Sequence, residues 1–392
     1  MRILVLHNRY LHPGGEDTAY DSEVALLRAH GHEVLEYVDD NERIGRTNPL
    51  SVALQTTWSW RSHRAIEVEI RRFRPEIVHS HNFFPLISPA AYYACRSAGV
   101  PVVQSLYNPR LICPSATLYR QGRLCTDCVG TTPLHGVMHA CYRHSRLQTL
   151  AVASMLSVHG MLGTWSNLVS KYLVATEFYR DLFSKGGLPP SRIVIKPNFI
   201  ASDPGYDPSG ENGNYALFIG RLGPEKGIRP MLTAWQRLSI PLIVRGSGAL
   251  EEEVRERIEK DGLSHVKLVG RVSRTELVRL IKDARFLVWP SEGYYETFGF
   301  AAVESFAAGV PVVASRIGVM QEIVLDGETG LHFRVGDPED LASKAEWLWE
   351  RPEELRRLGA NARREYEDKY TPDRNYELLM DIYRAAIAGD PP

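Results

Sequence analysis

The sequence predicts an α/β protein made of two doubly wound domains in tandem. Three observations carry this expectation: short apolar runs alternate with helical patterns from the second residue on, the same series restarts near residue 215, and a stretch rich in Pro, Gly, Ser and Asp separates the two series. "RILVLHN" is a strand-like run closed by the loop "LHPGGED". A helical pattern follows through Leu26 and Leu27 to Gly31, then a strand, "HEVLEYV". "EIVHSHN", "PVVQSLYN" and "KYLVATE" continue the strand series, and "RIVIKPNF" (192–199) closes the first half. "SDPGYDPSGENGN" (202–214) reads as the interdomain linker. The second half offers "YALFIGRL", "PLIVRGSG", "VKLVGRV", "ARFLVWPS", "VPVVAS" and "TGLHF" as strands, with helices such as "ALEEEVRERIEKDG" between them. The expected division is a first domain over 1–200 carrying an insertion at 107–145, a second over 201–371, and a terminal amphipathic helix over 372–392 packing back on the first. Two such sheets present the carboxyl ends of their strands to one cleft, where ligands of these folds sit.

The chain has 392 residues, 44% apolar and 24% charged, which suits a soluble globular protein of two domains. A net charge of −1 supplies no global field toward nucleic acid, so nucleic acid is not an expected partner and any anion site must be local. No long apolar segment follows a basic start, so a cytoplasmic protein is expected. The most apolar window, 147–165, is interrupted by Thr149, Ser154, Ser157, His159 and Gly160 and reads as a buried helix or helix pair. A nicotinamide enzyme would show Gly-x-Gly-x-x-Gly after a strand, but the first loop offers only Gly14-Gly15 and then Glu16. The Gly-x4-Gly-Lys-Ser/Thr phosphate loop is absent as well.

The chemistry concentrates in the second half. "FIGRLGPEKGIRP" places Arg221 and Lys226 in a glycine-bearing loop between a strand and a helix. Arginine forks to phosphate oxygens and lysine adds a mobile charge; alone, such a loop also reads as a surface turn with two solvated cations. "SEGYYETFGFAAVESFAAG" puts Glu296 before a helix beginning near Thr297 to Gly299, and Glu304 within it. That helix start leaves N–H groups open and carries the positive end of the dipole, suited to a phosphate or sugar hydroxyl. If the eight steps were helical the two carboxylates would lie roughly 12 Å apart along the axis. A glycosidase pair sits at about 5 to 9.5 Å, so the two glutamates are expected to grip different parts of one long ligand. Taken singly, Glu304 also reads as a solvated helical carboxylate and Glu296 as a dipole partner.

Glu296-x7-Glu304, with "TFGF" after the first glutamate and "GVPVVAS" after the second, resembles the signature of family 4 of the retaining glycosyltransferases, two-domain enzymes of GT-B fold. "GRLGPEKG" is similar to their donor-phosphate loop, "KPNF" to their interdomain element, and "VRGSG" and "VGRVSRTEL" to their nucleotide-binding loops. The resemblance implies that Arg221 and Lys226 bind the donor diphosphate, Glu304 the ribose hydroxyls, and Glu296 the donor sugar near the N–H groups of Phe298 and Gly299. It implies that Gly246 and Gly248 line the nucleotide pocket and that Arg271 and Val272 border the base. In the first half it assigns Gly14 and Gly15 to a glycine loop near phosphates and acceptor, and His81 of "VHSHN" to the reacting sugar, with His79 as its rival. The implied activity is retaining transfer of a hexose from a UDP- or GDP-sugar to a carbohydrate, lipid-linked or small-molecule hydroxyl. The leaving phosphate takes the acceptor proton, and catalysis needs no cofactor. A nucleotide-sugar epimerase and an idle nucleotide-sugar-binding protein are the rival functions.

Two further features stand outside that assignment. Cys113, Cys125, Cys128 and Cys141 fall as Cys-x11-Cys-x2-Cys-x12-Cys within a loop-rich segment that many members of the family lack. The spacing suits a structural zinc, with His135, His139 and His144 as substitute ligands, against free thiols, disulfides or an iron–sulfur site. "TTWSWRSHRAIEVEIRRFRP" (56–75) joins Trp58 and Trp60 to Arg61, Arg64, Arg71, Arg72 and Arg74. It reads as an exposed helix packing its apolar side on the sheet, or as a peripheral contact with an anionic membrane.

Overall fold

The computed structural model describes residues 1–11, 14–207, 213–294 and 296–389. The chain forms two compact units, one of residues 1–118, 125–198 and 375–392 and one of residues 119–124 and 199–374. Part of the linker expected at 202–214, residues 208–212, lies outside the described residues, as do His12, Pro13, Tyr295 and the last three residues. The strands in chain order are β1 (Arg2–Arg9), β2 (Glu33–Asp40), β3 (Ile77–Asn82), β4 (Val102–Ser105), β5 (Tyr119–Arg120), β6 (Arg123–Leu124), β7 (Lys171–Val174) and β8 (Ile193–Ile195), then β9 (Tyr215–Ile219), β10 (Leu242–Arg245), β11 (Val266–Val269), β12 (Ala284–Trp289), β13 (Val312–Ser315) and β14 (Gly330–Phe333).

The first unit is built on a parallel sheet in the order β2-β1-β3-β4-β7-β8. β1 carries the continuous apolar run at residues 3–6 expected of a sheet covered on both faces, while β3 and β4 start apolar and end polar. Ile3, Val5, Ile77 and Val103 meet Tyr20, Val24 and Leu27 of the helix Gly15–Ala29 in one core. The helix Pro372–Ala388 adds Leu379, Met380 and Tyr383 to that core, and Asn375 Nδ2 donates to the Pro197 carbonyl at 2.5 Å. The apolar window at 147–165 forms the helices Arg146–Met161 and Thr164–Asn167, with Val152, Met155 and Leu156 buried and Leu147 and Met161 exposed. Among the described residues no helix is long and apolar enough to cross a membrane. The Trp/Arg stretch forms the helix Trp60–Phe73, which buries Ile66 and Ile70 and leaves Trp60 exposed.

The second unit is built on a parallel sheet in the order β11-β10-β9-β12-β13-β14. Trp235 fills the centre of its core with Phe286, Phe333 and Leu358, and its indole N–H donates to the Ile240 carbonyl at 2.9 Å. Residues 119–124, read from the sequence as part of an insertion in the first domain, group with this unit. The reason is local packing: the Tyr119 ring closes on Gly293, where a Cβ would stand 3.2 Å from Tyr119 Cδ2.

Candidate active site

In the second sheet the strand order reverses between β9 and β12. Strands β10 and β11 continue from β9 in one direction, and β13 and β14 from β12 in the other. The connections leaving the carboxyl ends of β9 and β12 diverge there, which is where open parallel sheets receive ligands. The loop after β9 carries Arg221 and Lys226, and the loop after β12 carries Glu296. The two loops are joined by their backbones, with Glu292 N–H donating to the Glu225 carbonyl at 2.8 Å. Gly227, at φ +66°, permits this approach, since a Cβ there would stand 1.8 Å from the Pro290 carbonyl oxygen.

The Lys226 ammonium forms an ion pair with the Glu296 carboxylate, and both side chains are largely shielded, at 12% and 17% exposure. Ser291 Oγ lies 3.3 Å from the same carboxylate. Burial acts to raise the Glu296 pKa, but the Lys226 charge and hydrogen bond, with bonds from Trp289 and Ser291, outweigh it and hold the carboxyl below its ordinary value. Arg221 pairs with Glu225 and remains half-exposed at 55%.

Of the other residues singled out in this half, Gly246, Gly248, Arg271 and Val272 also lie at the carboxyl ends of strands, while Glu304 lies within a helix. Gly246 and Gly248 follow β10, where Leu222 N–H donates to the Ser247 carbonyl at 2.9 Å and Leu250 N–H to the Leu222 carbonyl at 3.0 Å. Arg271 and Val272 follow β11, and Arg271 Nε donates to Ser247 Oγ at 3.2 Å. Glu304 pairs with Arg274. The helix behind Glu296 runs over Phe300–Ala307 with Gly299 as its cap. Three residues therefore separate Glu296 from the helix, and the roughly 12 Å helical rise expected between the glutamates does not apply. Phe298 is buried against Phe300 and Tyr370, so only its backbone can face a ligand. Gly299 sits at φ +87°, and a Cβ there would stand 2.0 Å from the Trp289 ring.

The first unit has its own reversal, between β1 and β3. Gly14 and Gly15 stand at the start of the helix Gly15–Ala29, and His81 is buried on β3. Nδ1 of His81 lies 2.9 Å from the Tyr107 hydroxyl, and Nε2 lies 3.3 Å from Glu23 Oε1. His79, also buried, lies 3.0 Å from the same oxygen and 2.7 Å from the Tyr383 hydroxyl. Burial first, and the neighbouring His79 second, push the His81 pKa down to about 4, so its ring is neutral near pH 7. Glu23, His79 and His81 bring three ligand atoms within 4.8 Å of one another. This carboxylate already has a cation, because Lys196 Nζ donates to Glu23 Oε2 at 2.6 Å and is itself buried. Burial alone would raise the Glu23 carboxyl; Lys196, then His79, hold it well below the usual carboxylate range. The set reads as a closed ion-pair network.

Sequence reasoning did not single out Glu23, Lys196, Glu16 or Asn108. Glu16 follows the glycine pair and is half-buried. Its Oε2 accepts from the Tyr10 hydroxyl and from Asn108 Nδ2, both at 3.1 Å. Burial pushes its carboxyl from an ordinary 4.5 up to about 8, with the bonds from Asn108 and Tyr10 opposing. The signal available was the acidic residue directly after Gly14-Gly15, whose partners lie far along the chain.

A raised carboxyl pKa means that the folded state holds a proton the unfolded state releases. Stability therefore falls as pH rises from 4.5 toward about 8 and levels above it. Glu16→Gln, which cannot titrate, is expected to remove that part of the slope. Urea unfolding of both proteins across this window tests it; parallel profiles would refute the shift.

The family profile described as "Glycosyl transferases group 1" matches residues 206–365, and that described as "Glycosyltransferase Family 4" matches residues 14–203. An uncharacterized glycosyltransferase of Methanocaldococcus jannaschii is 30% identical over 400 residues, covering 98% of this chain and 94% of that relative. A D-rhamnosyltransferase of Pseudomonas aeruginosa is 31% identical over 158 residues, 40% of this chain and 42% of the relative. In several curated relatives the matched part is likewise less than half of their length. Among solved structures, a glycosyltransferase from Rickettsia africae superposes with TM-score 0.71 at 15% identity, covering 99% of this chain and all of that one. HepE of Anabaena, solved with UDP-glucose, superposes with TM-score 0.69 at 17% identity over 98% of this chain and all of that one. Two Rossmann-like units with these likenesses are the GT-B fold, and the chain belongs to the group 1, family 4 glycosyltransferases.

Proposed function

We propose that this glycosyltransferase is a retaining hexosyltransferase that takes its sugar from a nucleoside diphosphate donor. The observation that carries this reading is the meeting of Lys226, from the loop after β9, with Glu296, from the loop after β12, at the point where the second sheet reverses. When the anomeric carbon–oxygen bond breaks, negative charge grows on the departing phosphate. Arg221, Lys226 and the open amides at the start of the helix Phe300–Ala307 are fixed donors for that charge. The stabilisation comes from protein cations, so the bond-breaking step needs no divalent metal. In this scheme Lys226 turns from Glu296 to the diphosphate, Glu296 meets the sugar hydroxyls, and Glu304 takes the ribose. The acceptor oxygen bonds to the anomeric carbon and its proton passes to the leaving phosphate. Solved complexes of HepE with UDP and with UDP-glucose support a uridine donor as the first to try. A D-rhamnosyltransferase and an O-antigen chain mannosyltransferase among the relatives support a hexose as the transferred sugar.

Removing one charge-stabilising donor costs about 2.7–4 kcal/mol, or about 10²–10³ in rate. Arg221→Ala and Lys226→Ala are each expected to lower sugar transfer by that factor in assays against UDP-, GDP- and ADP-sugars. Arg221 is half-exposed, so its variant is expected to keep its fold. Full turnover in both variants would overturn the assignment. Donor conversion without acceptor would favour an epimerase, and binding without turnover an idle binding protein.

A lipid-linked acceptor is favoured by one feature of the first unit. The helix Pro49–Thr57 exposes Leu50 at 76% and Leu54 at 74%, and the next helix exposes Trp60 at 65% among arginines. Flotation with anionic vesicles is expected to carry the protein upward, and Leu50→Asp with Leu54→Asp to abolish this. An unchanged distribution with and without vesicles would remove the lipid reading.

A further inference from the structure

Within the segment at 107–145, residues 119–145 lack the means to hold their own shape by burial. Between Tyr119 and Gln148 the one buried residue is Gly136, and the regular structure there is two-residue strands and the five-residue helix Leu134–Met138. Chain of this kind, without a core, needs a staple. The backbone is also strained. Eight non-glycine residues in the described chain have positive φ, and six of them are Ala116, Leu118, Gln121, Ala140, Arg143 and His144.

Cys113, Cys125, Cys128 and Cys141 all fall inside this segment, and none of them forms a disulfide. Backbone contacts bring their stretches together: Cys125 N–H donates to the Leu118 carbonyl at 2.9 Å, Cys141 N–H to the Gly136 carbonyl at 3.0 Å, and a Cβ on Gly136 would stand 3.0 Å from Pro114 beside Cys113. The sulfurs do not form a closed ligand set here: among the described residues only Glu23, His79 and His81 bring three ligand atoms within 4.8 Å of one another. Four soft sulfurs with no carboxylate among them select zinc over calcium or magnesium, and four protein ligands close the coordination sphere.

We propose that Cys113, Cys125, Cys128 and Cys141 bind one structural Zn²⁺ as thiolates, and that this ion fixes the insertion whose outer loop carries the β5–β6 hairpin. Zinc binding displaces the four thiol protons to solvent and draws the sulfurs in. The site takes no part in sugar transfer, and its failure leaves the donor-site reading standing.

The test is metal analysis of the full chain expressed with zinc and purified under reducing conditions without chelator. About one zinc per chain is expected, falling to less than about a tenth of that in Cys125→Ser/Cys128→Ser. Should that variant fail to fold, the wild type still decides. Chelator-stripped protein is expected to melt at lower temperature and to recover with added Zn²⁺ but not Mg²⁺. Loading with Co²⁺ is expected to give the visible absorption of tetrahedral cobalt thiolate. Metal-free protein with four freely titrating thiols, two disulfides in non-reducing mass spectra, or iron in place of zinc would each overturn the proposal.

Discussion

The ion pair between Lys226 and Glu296 joins two loops that the sheet would otherwise let diverge. The strand order of the second unit sends the chain away from β9 and β12 in opposite directions, and the pair, with the Glu292 to Glu225 backbone bond, holds the two loops together. Both charges are largely shielded from water, so neither is easily left alone. An anion arriving beside Lys226 can replace Glu296 as its partner, and the carboxylate thus released can meet neutral hydroxyls. On the proposed reading, the donor's diphosphate and sugar supply these two partners together.

The first unit places charge differently. Glu23 pairs with Lys196 and lies against His79 and His81, and all four side chains are buried. Such a network fixes ring orientation, and burial, with His79 second, keeps His81 neutral against the opposing pull of Glu23. Lys196 belongs to the "KPNF" segment just before the chain leaves this unit. Its bond to Glu23 thereby anchors the exit of the chain to the helix that follows the glycine loop.

Much of this was legible in the sequence. Apolar runs of four to eight residues alternating with helical patterns give parallel strands, because both faces of such sheets are covered. The loop residues Arg221, Lys226, Gly246, Gly248 and Arg271 were locatable because each directly follows such a run. What escaped was pairing over long sequence distance. Nothing near Glu23 announces Lys196, 173 residues away, and nothing near Glu16 announces Asn108, 92 away. The helix after Glu296 also begins later than the sequence suggests, because Gly299 turns against Trp289 before Phe300 starts the helix. The hairpin at 119–124 reads as part of an insertion, and only the packing of Tyr119 on Gly293 reveals which unit receives it.

On the proposed reading, Lys226 is the residue that meets the donor's diphosphate. Calorimetric titration of UDP, GDP and ADP into the wild type and into Lys226→Ala tests this without requiring the acceptor. At least one nucleotide is expected to bind the wild type and to bind the variant at least about tenfold more weakly, a loss of about 1.4 kcal/mol. Equal affinity for both proteins, with the variant's fold intact, would contradict it.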